Sequence, residues 1–385
     1  MTTKRIAVFT GGRADYGLLT PLLRAISAES TLTLQLLASG YHFDSQLGDT
    51  QRQISADGFT VSAQIPFQRV ADERDVVRSM GAALPALSEA LQRLRSEVLV
   101  ILGDRYEALA AAQAAYFLRI PIAHIHGGEV TAGALDDGIR HAITQLASYH
   151  FASNQQHRQR IIAMGKSPQR VFDVGALGVD NVLHTELIER DAFCAHWGLR
   201  ERPFILATYH PATASAAEQP AAVTAHILDA LAAFGDYDVL FTYPNGDAGH
   251  QAIIAQLEQA AGRHRDNDQH LCLVPSLGMR HYVNAVRHCA LVLGNSSSAI
   301  IEVSALRKAV VNVGQRQAGR IAAASVLHCN SDTDSIRQAI EQALSDTHQR
   351  LTASCALPYG GGDSAAKICQ QLTQPSSIAL GFYDG

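Results

Sequence analysis

Residues 124–141 read HIHGGEVTAGALDDGIRH and hold three histidines (His124, His126, His141) and three acids (Glu129, Asp136, Asp137). Side chains of these types either ligate a metal ion or move protons. A further acid, Asp104, lies upstream in LGDRYE, followed by Arg105 and Glu107. In a cluster of carboxylates one can be held protonated while another stays ionised. A histidine among them titrates near neutrality and exchanges protons in either direction. Such a set suits abstraction of a proton from a sugar carbon, provided the leaving group departs readily, as a nucleoside diphosphate does. The metal alternative is weaker. HxH at a strand end needs further histidines and an acid from later strands, and HExxH is absent from the chain. No metal is expected. His124 is expected in the core or behind the site, and His141 within its helix.

The elements that position these residues follow a βα rhythm. In the first half, apolar runs at 5–10, 32–40, 97–104, 120–126, 149–153 and 170–175 read as strands, with helical patterns between several of them. The rhythm restarts with runs at 204–210, 238–245, 271–276, 291–296, 309–314 and 325–330. The runs are continuously apolar rather than alternating, as in parallel sheets covered on both faces. The expectation is an α/β protein of two Rossmann-like, doubly wound domains facing each other, 1–178 and 179–363, joined near GALGVDN. A C-terminal helix, 364–385, is expected to pack back on the first.

In open α/β sheets, ligands bind beyond the carboxyl ends of the strands. There the first half carries Arg13 and Asp15, then Asp104, Arg105 and Glu107, then His124, His126 and Glu129. The second half carries His210, Asn245 and Asp247, Asn295 to Ser298, and Arg316 with Arg320. This distribution predicts a site in the cleft between the two domains. In GNSSS, small polar residues lead from a strand into a helix SAIIEVSAL, where amides and hydroxyls can hold a phosphate. The plainer alternative makes Ser297 or Ser298 an N-cap and Glu302 a solvated first-turn acid. Arg13, Arg316 and Arg320 could neutralise a diphosphate. GGRADYG is not GxGxxG, and no Walker loop is present.

The composition fits this picture. A chain of 385 residues with 47% hydrophobic content is long enough for two cores. Net charge is −5, so no basic excess points to nucleic acid or to an acidic membrane surface. Six cysteines without a CxxC pair read as reduced thiols. No apolar run is long enough for a signal peptide or a membrane span, so a cytoplasmic protein is expected.

Taken together and in order, GGRADYG, LGDR, HIHGGEVTAGALDDGIRHAIT, GALGVDN, YHP, PNGDAG, GNSSSAIIEV and GQRQAGR resemble the hydrolysing UDP-N-acetylglucosamine 2-epimerases, in the bacterial sialic-acid branch. The resemblance runs through almost the whole chain. It implies a GT-B fold with its active site in the interdomain cleft, and no cofactor. It also implies a reaction: UDP-N-acetylglucosamine and water give N-acetylmannosamine and UDP. Anti elimination of UDP forms 2-acetamidoglucal, and water then adds with inverted configuration at carbon 2. By the same resemblance Asp104 and Asp136 match catalytic carboxylates, and His210 matches a histidine near nucleotide and sugar. Arg13 matches a diphosphate ligand, Ser296, Ser297 and Glu302 match phosphate and ribose ligands, and Arg316 lies near the nucleotide. Arg105, Asn245 and Asp247 are expected to contact UDP or the sugar.

Many members read HIEGGE where this chain has His126. Three readings follow: His126 moves the proton, Glu129 substitutes, or the step is shared with Asp104. A homodimer or homotetramer is implied. The nearest rival is the same chemistry on UDP-N,N′-diacetylbacillosamine, for legionaminic acid. Other rivals are a non-hydrolysing epimerase, a GT-B glycosyltransferase and a nucleotide-sugar sensor without turnover.

Overall fold

Parallel strands cannot be joined by tight hairpins, so each must be followed by a crossover. The computed structural model describes residues 3–44, 50–67, 70, 72–130, 135–211, 219–244, 249–263, 270–379 and 381–383, and shows this arrangement twice. The chain divides into unit 1, Met1–Asn181 with Gly360–Gly385, and unit 2, Val182–Tyr359.

Unit 1 contains β1 (Lys4–Thr10), β2 (Leu32–Ser39), β3 (Val61–Ile65), β4 (Val98–Leu102), β5 (Ile122–Ile125), β6 (Tyr149–Ala152) and β7 (Val171–Asp173). They form one parallel sheet in the order β3-β2-β1-β4-β5-β6-β7. The order reverses between β1 and β4, so the crevice where such sheets bind ligands opens beside the carboxyl ends of these two strands. Its helices are α1 (Arg13–Ala28), α2 (Thr50–Ala56), α3 (Glu73–Arg93), α4 (Tyr106–Phe117), α5 (Leu135–Leu146) and α6 (Gln155–Ala163). Successive residues of β1 face opposite ways. Ile6 and Val8 join Leu19, Leu23 and Ile26 of α1, while Ala7 and Phe9 join Leu87 and Leu91 of α3 and Ala111 of α4.

The unit boundary falls within α7 (Leu177–His184). Unit 2 then runs through β8 (Phe204–Thr208), β9 (Asp238–Thr242), β10 (Leu271–Val274), β11 (Leu291–Gly294), β12 (Ala309–Val313) and β13 (Val326–Cys329). The order is β10-β9-β8-β11-β12-β13, again parallel throughout. Its helices are α8 (Arg190–Trp197), α9 (Pro220–Leu231), α10 (His250–Arg263), α11 (Gly278–His288), α12 (Ser297–Ile301), α13 (Thr333–Leu344) and α14 (Asp346–Ser354).

Two helices are shorter than the sequence suggests. SAIIEVSAL is not continuous: α12 stops at Ile301 and a 3₁₀ turn follows over Val303–Leu306. The C-terminal helix α15 is Ser364–Thr373, and the chain onward to Tyr383 is not helical where described. Pro375 explains the stop, because it lacks the amide hydrogen and disfavours helix at the residue before it. The helix packs on α1 through Ile368 and Leu372. The Asp180 carboxylate caps it, accepting the amides of Ser364 (3.0 Å) and Ala365 (2.7 Å). All six cysteines are free, and no described helix is long and apolar enough to cross a membrane.

Candidate functional site

In unit 1 the acids gather on one buried cation. Arg140, in α5, is 4% exposed. Its Nη1 donates to Asp137 Oδ1 (2.9 Å) and to the Glu129 carbonyl (3.0 Å), and its Nη2 donates to the Asp104 carboxylate. Asp104 thus leaves the end of β4 and meets the first turns of α5. Asp136 is exposed beside them; partial burial and then the charge of Asp104 raise its pKa, against Arg105 and Arg140. Arg140 was not among the expected site residues. The i,i+3 spacing of Asp137 and Arg140 was its only local signal.

His126 follows β5 and has φ +64°, the left-handed region that non-glycine residues seldom occupy. Its amide donates to the Phe151 carbonyl (3.0 Å), which fixes the turn. Its Nδ1 lies 3.2 Å from Glu129 Oε1, while its Nε2 is buried and has no hydrogen-bond partner among the described residues. Glu129 is buried, accepts the Ser153 hydroxyl at 2.8 Å, and lies 4.0 Å from His157 Nδ1. Burial alone would raise the Glu129 carboxyl; the facing His126 and His157 rings and Ser153 outweigh it and hold it well below the usual carboxylate range. The two glycines between His126 and Glu129 are packed in. A Cβ on Gly128, at φ +75°, would sit 2.6 Å from the His157 carbonyl.

The other histidines of the segment are structural. His124 is fully buried; its Nε2 donates to the Gly103 carbonyl (2.8 Å), and Nδ1 faces the Thr144 hydroxyl (3.1 Å). Burial lowers its pKa to about 4. His141 Nε2 sits 3.8 Å from Asp137 within α5. Among the described residues no three His, Cys, Asp or Glu side chains converge as metal ligands.

An open cavity of about 420 Å³ lies where β1 ends, lined by Gly11, Arg13, Asp15, Tyr41, Arg105 and Tyr106. Arg105 makes a fork to fully buried Glu107, with Nε to Oε2 at 3.1 Å and Nη2 to Oε1 at 2.9 Å. Asp15 accepts the Gly11 amide at 3.2 Å. Burial first, then Glu107 and Asp104, raise its pKa to about 6, against Arg105 and the Gly11 amide. Asp15, expected at the first strand end but given no role there, and Tyr106, not expected, are therefore neighbours of the acid cluster. The strand-end position of Asp15 was the available signal.

Unit 2 builds its strand ends around Asn295, which is buried. The Asn295 amide accepts from the His210 backbone and donates to its carbonyl, both at 2.8 Å. Arg316 Nη1 and Gln317 Nε2 donate to the Asn295 carbonyl at 3.1 and 2.9 Å. Gly294 makes this close approach possible, since a Cβ there would overlap the Thr208 carbonyl at 1.7 Å. Ser296 is the N-cap of α12, so neither Ser297 nor Ser298 caps it. Ser298 instead donates to Glu302 (2.6 Å) and meets the Tyr282 hydroxyl (3.1 Å), so Glu302 is not a free first-turn acid. Ser297 is partly buried next to them. Asn245 and Asp247 lie outside the described residues.

The family pattern described as UDP-N-acetylglucosamine 2-epimerase matches residues 24–373. The chain belongs to this family. It is 32% identical, over 96% of its length and 95% of the relative's, to a Legionella pneumophila protein named UDP-N,N′-diacetylbacillosamine 2-epimerase (hydrolyzing). It is 29% identical to a Neisseria meningitidis UDP-N-acetylglucosamine 2-epimerase, over 89% and 88% of the two chains. A solved Listeria monocytogenes structure described as a UDP-N-acetylglucosamine 2-epimerase matches with TM-score 0.81 at 14% identity, covering 96% of each chain. That likeness concerns the fold, which is the GT-B type with two Rossmann-like units. After β5 this chain pairs His126 with the buried carboxylate of Glu129.

Proposed function

We propose that this chain hydrolyses UDP-N-acetylglucosamine with inversion at carbon 2, releasing N-acetylmannosamine and UDP. The observation that carries the reading is the grouping at the strand ends of unit 1: Asp104 and Asp137 on Arg140, with the His126–Glu129 pair on the same turn. In the first step the carbon 2 proton passes to the enzyme and the bond from carbon 1 to the diphosphate breaks. The freed electron pair forms the double bond of 2-acetamidoglucal. In the second step water adds its hydroxyl to carbon 1, and carbon 2 is protonated from the other face. His126 is the proposed proton carrier, because its Nε2 has no partner among the described residues and its Nδ1 is held by Glu129. Asp104 and Asp136 are the proposed carboxylates, and Asp136, whose pKa is raised, suits an acid role.

Arg13 and Arg105 of unit 1, and Ser296, Ser297, Glu302, Arg316 and His210 of unit 2, are proposed to hold UDP and the sugar; Asn245 and Asp247 keep the same proposed role. The reading needs no cofactor. It takes the enzyme as a cytoplasmic homodimer or homotetramer that supplies sialic acid synthesis. The same chemistry on UDP-N,N′-diacetylbacillosamine is the second reading, favoured by the name of the Legionella relative.

Proton NMR in deuterated water tests both, with one sugar nucleotide in each of two tubes. Expected from the first tube are UDP and N-acetylmannosamine deuterated at carbon 2. Turnover of the diacetamido sugar alone transfers the enzyme to the second reading. No turnover in either tube removes the hydrolysing epimerase assignment and leaves the transferase and sensor readings.

A further inference from the structure

A second cavity in unit 1, of about 260 Å³, lies by the amino ends of β6 and β7, at the opposite end of the strands from the acid cluster. Ser148 immediately precedes β6, and Lys166, Ser167 and Arg170 precede β7, whereas Ser153, which holds Glu129, follows β6. Ser148, His150, Lys166, Ser167 and Arg170 line the cavity together with Phe382. We infer that this pocket binds a phosphate group, as inorganic phosphate or as the monoester of a small metabolite.

Three observations carry the inference. Lys166 is only 9% exposed, yet no carboxylate among the described residues pairs with it; its ammonium donates to the Gln145 carbonyl at 2.7 Å. Taking an ammonium out of water without a counter-charge is unfavourable, and a bound anion removes that penalty. Arg170 likewise has no carboxylate partner among the described residues. It donates to the Ser377 carbonyl and hydroxyl, both at 2.8 Å, and lies 5.1 Å from the centre of the Tyr149 ring. His150 is 1% exposed, and its Nδ1 has no hydrogen-bond partner among the described residues. Two cations, an imidazole and two hydroxyls around one cavity match an oxyanion that offers several acceptor oxygens and up to two charges near neutral pH.

The tail after α15 makes the pocket a built feature of the fold. The Ser377 amide donates to the Tyr149 hydroxyl (2.9 Å), the Ala379 amide to the Ser148 hydroxyl (3.2 Å), and the Tyr383 amide to the Gly165 carbonyl (2.9 Å). Phe382 lies where a side chain at position 165 would be; a Cβ on Gly165 would fall 2.1 Å from its ring. Position 165 must therefore be glycine for Phe382 to reach the pocket.

The test titrates inorganic phosphate into the full chain by calorimetry, with UDP in excess, and follows the thermal midpoint in parallel. Expected is saturable one-site binding that raises the midpoint, weakened at least tenfold by Lys166→Met and by Arg170→Gln. Turnover without phosphate should stay unchanged in both variants. Ser167→Ala, a smaller change at the same wall, should weaken phosphate several-fold and guards against loss of folding in the other two. Absence of saturable binding overturns the proposal. So does phosphate binding with the same affinity in all three variants, which would place the anion elsewhere. Acetate binding as tightly as phosphate would overturn the phosphate assignment.

Discussion

His126 holds Glu129 on one ring nitrogen and leaves the other without a partner among the described residues, the polarity of a proton carrier backed by an orienting carboxylate. His126→Gln should therefore lower kcat by roughly 10²- to 10⁴-fold, the usual worth of a positioned acid–base group. KM should change little. Glu129→Gln should lose less, because the imidazole remains, and wash-in of solvent deuterium at carbon 2 should slow in step with kcat in both. The reverse ordering would give the proton to Glu129. Asp104→Asn separates the enzyme reading from the sensor reading: turnover should vanish while UDP binding persists. At this scale the sequence showed the acids and histidines because their spacing is local. Arg140 escaped notice because its partner Asp104 lies 36 positions away, and a cation on a helix looks like surface charge until the fold buries it. Ser153 was hidden likewise, 24 positions from Glu129.

The turn between β5 and α5 shows how an element sets the site. Gly128 combines a left-handed backbone with contact against α6, where a Cβ would meet both the His157 carbonyl (2.6 Å) and Ile161 (2.7 Å). Gly103, at φ +79°, would meet nothing within 4 Å. Gly128→Ala should thus destabilise by about 2–4 kcal/mol, adding overpacking to backbone strain, and Gly103→Ala by only about 1 kcal/mol. Urea unfolding of the two variants measures the difference, and equal losses would show that backbone strain alone matters. Strands were legible to the extent that their runs were continuously apolar. All twelve expected strands form; VLVIL, for one, is buried along its whole length. The missed strand, β3, is broken by polar Ser62 and Gln64 in VSAQI, whereas LCLV of β10, also an edge strand of mixed burial, keeps a continuous apolar run. The expected helix at GNSSS was too long because its apolar spacing continues into a 3₁₀ turn, whose periodicity is close to that of an α-helix.

Across the molecule, buried histidines fall unevenly. His42 and His124, both fully buried in unit 1, have pKa values lowered to about 4 by burial, and burial drives His150, in the same unit, well below its ordinary value. In unit 2, among the described residues, the His281 ring shifts downward, and it is partly exposed. The sign follows from proton counts. Below an ordinary pKa of 6.5 the unfolded chain binds protons that these folded rings refuse, so stability rises with pH across that window. Their contribution is complete above about pH 6.5 and is lost as the pH falls toward 4, on the order of 3 kcal/mol for each of His42 and His124. Asp15 acts in the opposite direction. With a folded pKa of about 6 it retains a proton that the unfolded chain releases near 4, so its contribution weakens as pH rises from 4 to 6. One carboxyl on a cavity wall does not offset three buried rings. Unit 1 should therefore unfold first on acidification. Hydrogen exchange at pH 7.5 and pH 5 should show β1, β4 and β5 losing protection while β8 and β11 keep theirs. Equal loss in both units, or loss confined to unit 2, would mean that some other set of groups governs acid stability.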